Sequence, residues 1–232
     1  MMRKIAMCLA LCACWQAYGQ TAAAPYPKMA PLEAYLSERD AEISLARSAA
    51  PDSISHDAEV WVLGRHGYEV AVKGTNGFVC AVERSWTAGP DDPDFWNPKL
   101  RGPICFNAPA ARTYWPIMLK RTEMILAGVP REQAIARVSS SLDKKELAAP
   151  EPGSMCYMLS PHQYLGDSAK RWHPHLMFFV PQTADIAWGA GLPGSPVLVG
   201  QEPEDRLTVF MVPVAKWSDG TADIPTAEPH KH

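Results

Sequence analysis

Residues 59–84 read EVWVLGRHGYEVAVKGTNGFVCAVER, and this stretch decides the fold class. It contains three runs rich in β-branched and aromatic residues, separated by two breaks that contain glycine. The runs are 59–63, 68–73 and 78–84, and the breaks are 64–67 and 76–77. Such runs predict β-strands, and Asn76-Gly77 is the strongest short signal for a hairpin. The sequence therefore predicts a three-stranded antiparallel meander, with Cys80 on an apolar strand face.

One helix is predicted near the N-terminus and two in the central part of the chain. Pro31 suits a first helical position, and an apolar stripe follows it, so we expect an N-terminal helix over 31–49. Two further helical patterns run from about 110 or 115 to 127 and from 130 to 142. The short link at Gly128 between them predicts a central αα-hairpin.

Strand patterns return in the last third of the chain. The candidate strands are 155–159, 175–180, 196–199 and 207–212. Residues 86–108 contain four prolines and no clear period, which predicts a long loop. The order of elements indicates an α+β fold with a mainly antiparallel sheet of about seven strands. We expect a flexible lead over 20–30, a single globular domain over 31–220 and a disordered tail over 221–232.

The first 19 residues have the order of a secretory signal peptide. A basic start with Arg3 and Lys4 precedes an uncharged run over 5–15, and a small-x-small site over 17–19 follows. That run is too short for a bilayer span, which needs roughly 20 residues. We expect an exported protein, periplasmic or extracellular, without a transmembrane segment. A weak lipobox ending at Cys14 keeps open a lipid anchor at that residue.

Loss of the leader would leave 20 basic against 25 acidic residues, a net charge of −5. Such acidity argues against nucleic acid and anionic lipid as partners. The remaining cysteines would be Cys80, Cys105 and Cys156. An oxidising compartment permits one disulfide, and we predict Cys80–Cys105 across the loop-rich segment, worth roughly 3–4 kcal/mol. The alternative is three buried free thiols.

The segment over 66–86, HGYEVAVKGTNGFVCAVERSW, resembles exported bacterial proteins that have no assigned activity. The resemblance implies export but no mechanism, and it supplies no catalytic residue.

Histidines form the sharpest candidate site. His173 and His175 lie two residues apart in an extended segment, so both side chains and Met177 would share a face. His162 would add a third ligand across a turn, giving a zinc or copper site. In the alternative interpretation these residues flank a strand entrance and the core. His-Glu-x-x-His is absent from the sequence.

A thiol nucleophile is the second candidate. Cys105 lies shortly before a predicted helix, near Asn107, and His175 or His66 would act as its base. A disulfide at Cys105 would exclude this Cys/His hydrolase.

Other patterns are weaker. Four residues of the long loop carry side-chain oxygens that could bind calcium: Asp91, Asp92, Asp94 and Asn97. Their spacing is not that of an EF-hand, which argues against a calcium site. The GxGxxG match over 189–194 is interrupted by Pro193 and predicts a turn rather than a dinucleotide site. Trp86, Trp96 and Trp115 would either line a ligand pocket or fill the edge of the core.

The absence of a complete catalytic signature in the sequence favours an exported, non-catalytic module that binds a small molecule or an envelope component. A His-based zinc- or copper-binding protein or metal-dependent enzyme is the first alternative, and the Cys/His hydrolase is the second.

Overall fold

The computed structural model describes residues 25–224 except 88, 90 and 169. The predicted signal peptide, the Cys14 anchor and most of the predicted tail lie outside the described residues. Within them, no helix is long and apolar enough to cross a membrane.

The structure is a mixed α+β fold built on one eight-stranded sheet. The strands are β1 (Glu59–Gly64), β2 (Gly67–Val72), β3 (Val79–Glu83), β4 (Gly102–Phe106), β5 (Met155–Met158), β6 (His175–Pro181), β7 (Leu198–Glu202) and β8 (Leu207–Pro213). They are ordered β2-β1-β3-β4-β5-β6-β8-β7. Every neighbouring pair is antiparallel except β1 and β3. The predicted mainly antiparallel sheet is confirmed.

The predicted meander is wrong in its second connection. β1 and β2 form the expected hairpin, but β3 pairs in parallel with β1 rather than with β2. Asn76 donates from its side-chain amide to the Ile54 carbonyl at 2.8 Å, which holds the connection near the start of β1. Gly74 makes the crossing possible, because a Cβ there would lie 2.1 Å from the Glu59 nitrogen. The Asn-Gly pair therefore lies in a connection that crosses β1 from β2 to β3, and not in a hairpin turn.

β4 accounts for the eighth strand, and it lies inside the segment predicted as a loop. All five of its residues are buried between β3 and β5. A strand covered on both faces shows no polar alternation, so its sequence lacks the period that marks a half-exposed strand.

The helices are α1 (Arg39–Arg47), α2 (Asp52–Ser55), α3 (Ala108–Thr113), α4 (Trp115–Leu126) and α5 (Arg131–Asp143). The predicted helix over 31–49 is broken into a 3-10 turn at Leu32–Ala34 and α1. α1 begins where it does because the Glu38 carboxylate accepts from the Asp40 and Ala41 amides. The predicted αα-hairpin is confirmed as α4 and α5, with Gly128 at φ +77° between them.

The sheet has apolar side chains on both faces. Residues of α1 pack with Val60, Cys80, Val82 and Cys105 on one face. Residues of α3, α4 and α5 pack on the other, together with Ala81, Ile104 and Phe106. Cys80 and Cys105 are paired across β3 and β4, 4.0 Å apart at Cα, and form a disulfide.

Candidate functional site

A cavity of about 220 Å³ lies over the sheet face that α3, α4 and α5 cover elsewhere. Its walls are mainly apolar and contain three methionines. The lining residues are Glu83, Thr87, Leu100, Tyr114, Met158, Leu165, Met177, Phe179, Gly200, Glu202, Val209 and Met211. The volume is below the roughly 300–1,000 Å³ of pockets for drug-sized ligands, so the cavity suits a small molecule.

Strand register brings the floor of the cavity together. Met177 of β6 lies opposite Met211 of β8, and Phe179 lies opposite Val209. Val209 in turn faces Gly200 of the edge strand β7. Since residues two apart share a face, these side chains form one continuous apolar surface. Gly200 contributes no side chain, which leaves space beside Met211.

Tyr114 forms part of the cavity wall from the junction between α3 and α4. Its ring stacks on Phe179, with centroids 4.1 Å apart and planes inclined by 18°. The preceding helix is fixed by Asn107, whose side-chain oxygen accepts from the Ala110 and Met155 amides, each at 3.1 Å. This cap connects α3 to β5 and thereby sets the position of Tyr114 over the sheet.

Glu83 is the last residue of β3 and shares a face with Ala81 and Val79. It lines the cavity. Burial raises the pKa of its carboxyl to about 8, and the charge of Arg121 only partly opposes this. No hydrogen bond or ion pair holds the carboxyl among the described residues. An unpaired acid in an apolar cavity with so perturbed a pKa marks a candidate functional group.

Two further polar groups line the cavity without a protein partner in the described part of the chain. Burial, followed by the charge of Asp205, raises the pKa of Glu202. Tyr114 is 8 % exposed, and burial raises the pKa of its phenol as well. Its hydroxyl makes no hydrogen bond to any residue that the structure describes. Glu83, Glu202 and Tyr114 therefore leave hydrogen-bonding capacity free for a ligand.

Arg121 lies just behind these groups and is already engaged. It donates from one terminal nitrogen to Asp205 and from the other to the Thr87 carbonyl at 3.2 Å. Both ionic side chains of the Arg121–Asp205 pair are 4 % exposed. Arg121 therefore anchors α4 against the turn before β8 and does not neutralise the cavity carboxyls directly.

The histidines predicted as metal ligands have separate roles. His173 pairs with Asp223. His175 is buried, contacts the Trp172 ring and bonds through Nδ1 to the His173 carbonyl at 2.7 Å. His162 is exposed. Across the described residues, no group of three His, Cys, Asp or Glu side chains is placed to hold a metal ion. The predicted zinc or copper cluster is therefore not found there.

The Cys105 sulfur is bonded to Cys80, so it is not a free nucleophile. His66, one of its proposed bases, is exposed in the β1–β2 turn. The Cys/His hydrolase prediction is therefore wrong for this disulfide-bonded form. Cys156 is the free cysteine of the described chain, and burial raises the pKa of its thiol well above the ordinary value.

Two of the acidic residues considered as calcium ligands, Asp92 and Asp94, accept hydrogen bonds that hold the long loop. Asp92 accepts from the Asp94 amide at 2.7 Å, and Asp94 accepts from the Asn97 side chain at 2.8 Å. The second Asp94 oxygen accepts from the Asp167 amide at 3.2 Å. These bonds give the carboxylates a structural role in place of the calcium site.

The tryptophans of the long loop and its flank fill the core. Trp86 and Trp115 are almost fully buried, and Trp96 packs against the same cluster. The cavity lining contains none of the three. The loop still contributes to the cavity, through Thr87 and Leu100.

The sequence interpretation missed Glu83 and Glu202 as site residues. A signal was present for both. Glu83 follows Val79 and Ala81 at the same strand face, and Glu202 follows Leu198 and Gly200. An ionisable residue at the end of an apolar strand face is unusual, because such groups are rarely buried without a partner.

Comparisons of this chain with protein-family models, with curated proteins and with solved structures found no match.

Proposed function

We propose that this chain is an exported protein that binds a small, mainly apolar molecule in the cavity between β3, β6, β7, β8 and Tyr114. The observation that carries the proposal is the cavity itself, with an apolar floor and three polar groups that have no partner in the described chain. Binding sites for small molecules typically combine such walls with a few convergent polar groups.

Export is supported by the signal-peptide pattern over 1–19 and is compatible with the Cys80–Cys105 disulfide. Membership of the exported bacterial proteins that the 66–86 segment resembles is part of the same proposal. A binding role agrees with the absence of a complete catalytic signature in the sequence.

The three cavity methionines provide a direct test. In a protein labelled with ¹³C at methionine methyl groups, titration with 1-hexanol should shift Met158, Met177 and Met211. Met155 is an internal control. Met158 and Cys156 are two residues apart in β5 and share the cavity face, so Met155 points to the other face of the sheet. Its signal should not move.

Gly200→Leu should abolish the shifts by filling the cavity. A Cβ at Gly200 would meet only Glu202 at 3.8 Å and Met211 at 3.9 Å, so the backbone tolerates the substitution. Val199→Leu is the matched control, because Val199 precedes Gly200 and points to the other face. If the cavity methionines do not respond, or respond equally in Gly200→Leu, the proposed function is wrong.

A further inference from the structure

We infer that the ligand of this cavity carries a cationic group, a protonated amine being the simplest class, which binds at Glu83 near Tyr114 while its apolar part lies over the methionines. This inference rests on the proposed function and specifies the chemistry of its ligand. The cavity residues include two carboxyl groups and no lysine, arginine or histidine. The lining therefore offers a ligand acidic groups and no cationic side chain.

The unpaired acids give the strongest support. Glu83 and Glu202 make no ion pair among the described residues, although ion-paired acids are common on the surface of this protein. Both residues are partly buried, and moving a carboxyl out of water without a partner costs free energy. A bound ammonium group would supply the missing charge and up to three hydrogen bonds. The cavity is therefore complementary to a cation.

Tyr114 adds an independent observation. Its side chain is more than nine-tenths buried, lines the cavity and makes no hydrogen bond within the described chain. Its hydroxyl can accept from an ammonium group. Phe179, on which the Tyr114 ring stacks, also lines the cavity and adds aromatic surface to it. Aromatic faces attract cations, so the same residues that hold an apolar body favour an attached amine.

The groups around Glu83 leave it without a resident cation. Arg121 approaches from α4 but is bound to Asp205 and to the Thr87 carbonyl. The other titratable groups on which the charge of Glu83 acts are Tyr68 from β2, Tyr114 from the α3–α4 junction and Cys156 from β5, and none of them is a cation.

Binding of a cation should therefore release a proton. Burial holds the pKa of Glu83 at about 8, so its carboxyl is mostly neutral at pH 7. An ammonium ion at contact distance favours the ionised form and lowers that pKa. The affinity for the cation should rise with pH, by up to about tenfold per pH unit. The rise should end above the pKa of Glu83, where the carboxyl is ionised before the ligand binds.

The test compares hexylammonium with 1-hexanol, which share the same alkyl chain. The affinities are measured by isothermal titration calorimetry at pH 6 and pH 9. The amine is charged at both values, since the pKa of an alkylammonium group is about 10.4, like that of lysine. We expect hexylammonium to bind at least roughly tenfold more tightly at pH 9 than at pH 6, and more tightly than hexanol at pH 9. Hexanol should show little change.

Glu83→Gln should remove the pH dependence and the advantage of hexylammonium over hexanol. Glu202→Gln should reduce that advantage without removing the pH dependence. Glu123→Gln, an exposed acid of α4, is the control that should leave both unchanged. Near-ultraviolet circular dichroism verifies that each variant is folded.

The outcomes separate the two proposals. Hexanol binding as tightly as hexylammonium at pH 9 would overturn the cationic ligand while the binding function stands. The same holds if Glu83→Gln leaves the preference intact. If neither probe binds the folded protein, the binding function and the ligand class fall together.

Discussion

Arg84 donates a hydrogen bond from Nη2 to Oε2 of Glu42 at 2.7 Å, and solvent reaches neither side chain. The other Glu42 oxygen accepts from the Leu63 amide at 2.9 Å, and Arg84 Nε donates to the Tyr35 carbonyl at 2.8 Å. These bonds join α1 to β1 and to the end of β3. Arg84 is thereby directed away from Glu83, its neighbour in sequence, and Glu83 is left in the cavity without a cation.

Glu42→Gln should strongly destabilise the fold, because it leaves the Arg84 guanidinium buried and without its counter-charge. Breaking one partner of a buried pair typically costs about 3–5 kcal/mol. Urea unfolding at pH 7 measures the loss. Glu69→Gln removes an acid from an exposed pair with Arg39 and should leave stability nearly unchanged. Equal effects for the two variants would contradict a buried role for Glu42.

Replacing both Cys80 and Cys105 by alanine should lower the free energy of unfolding by about 3–4 kcal/mol, because the unfolded chain regains the freedom of a closed loop. The two residues are 25 apart in sequence. A reductant should shift the urea midpoint of the native protein and leave the double variant unchanged. A reductant effect in the double variant would point to another pairing.

Cys156 should be the single titratable thiol of a chain that has lost residues 1–19. It should react with a thiol reagent only after unfolding, because its side chain is buried and burial raises its pKa. Thiol counting before and after addition of guanidinium chloride gives the answer. A chain that retains the leader would add Cys8, Cys12 and Cys14, so four thiols would contradict its removal.

Glu83 should make stability fall as pH rises from about 4.5 to 8. Burial raises the pKa of its carboxyl from 4.5 to about 8. Within that window the folded protein holds a proton that the unfolded chain has lost, so each pH unit lowers the free energy of unfolding, by up to about 1.4 kcal/mol. Below the window this contribution is fully present, and above it the contribution is lost.

The measurement is urea unfolding of native protein and Glu83→Gln from pH 5 to pH 9. The variant should lose most of the downward slope, with the raised pKa of Glu202 leaving a smaller slope of the same sign. Glu123→Gln should retain the full slope, since that residue is exposed. Parallel curves for native protein and Glu83→Gln would show that Glu83 is ionised throughout.

The sequence determined the secondary-structure class through local pattern. Alternation and turn residues identified seven of the eight strands, and Gly128 between two apolar stripes identified the α4–α5 hairpin. The apolar neighbours of Cys80 were visible in the same alternation, and the Cys80–Cys105 pair was predicted from the cysteine inventory. These features depend on residues that are near one another in the chain or few in number, so sequence carries them directly.

Only the tertiary structure decided which strands pair and which residues share the cavity. Asn76-Gly77 has the chemistry of a hairpin, but the bond from Asn76 to Ile54 and the close passage of Gly74 by Glu59 direct the chain into a parallel pairing. β4 is covered on both faces, so its sequence lacks the alternation of apolar and polar residues that marks a strand. The cavity joins Glu83 to Glu202, 119 positions along the chain, through the order of the strands between them. No local pattern encodes that meeting, because strand order is set by the packing of the whole sheet.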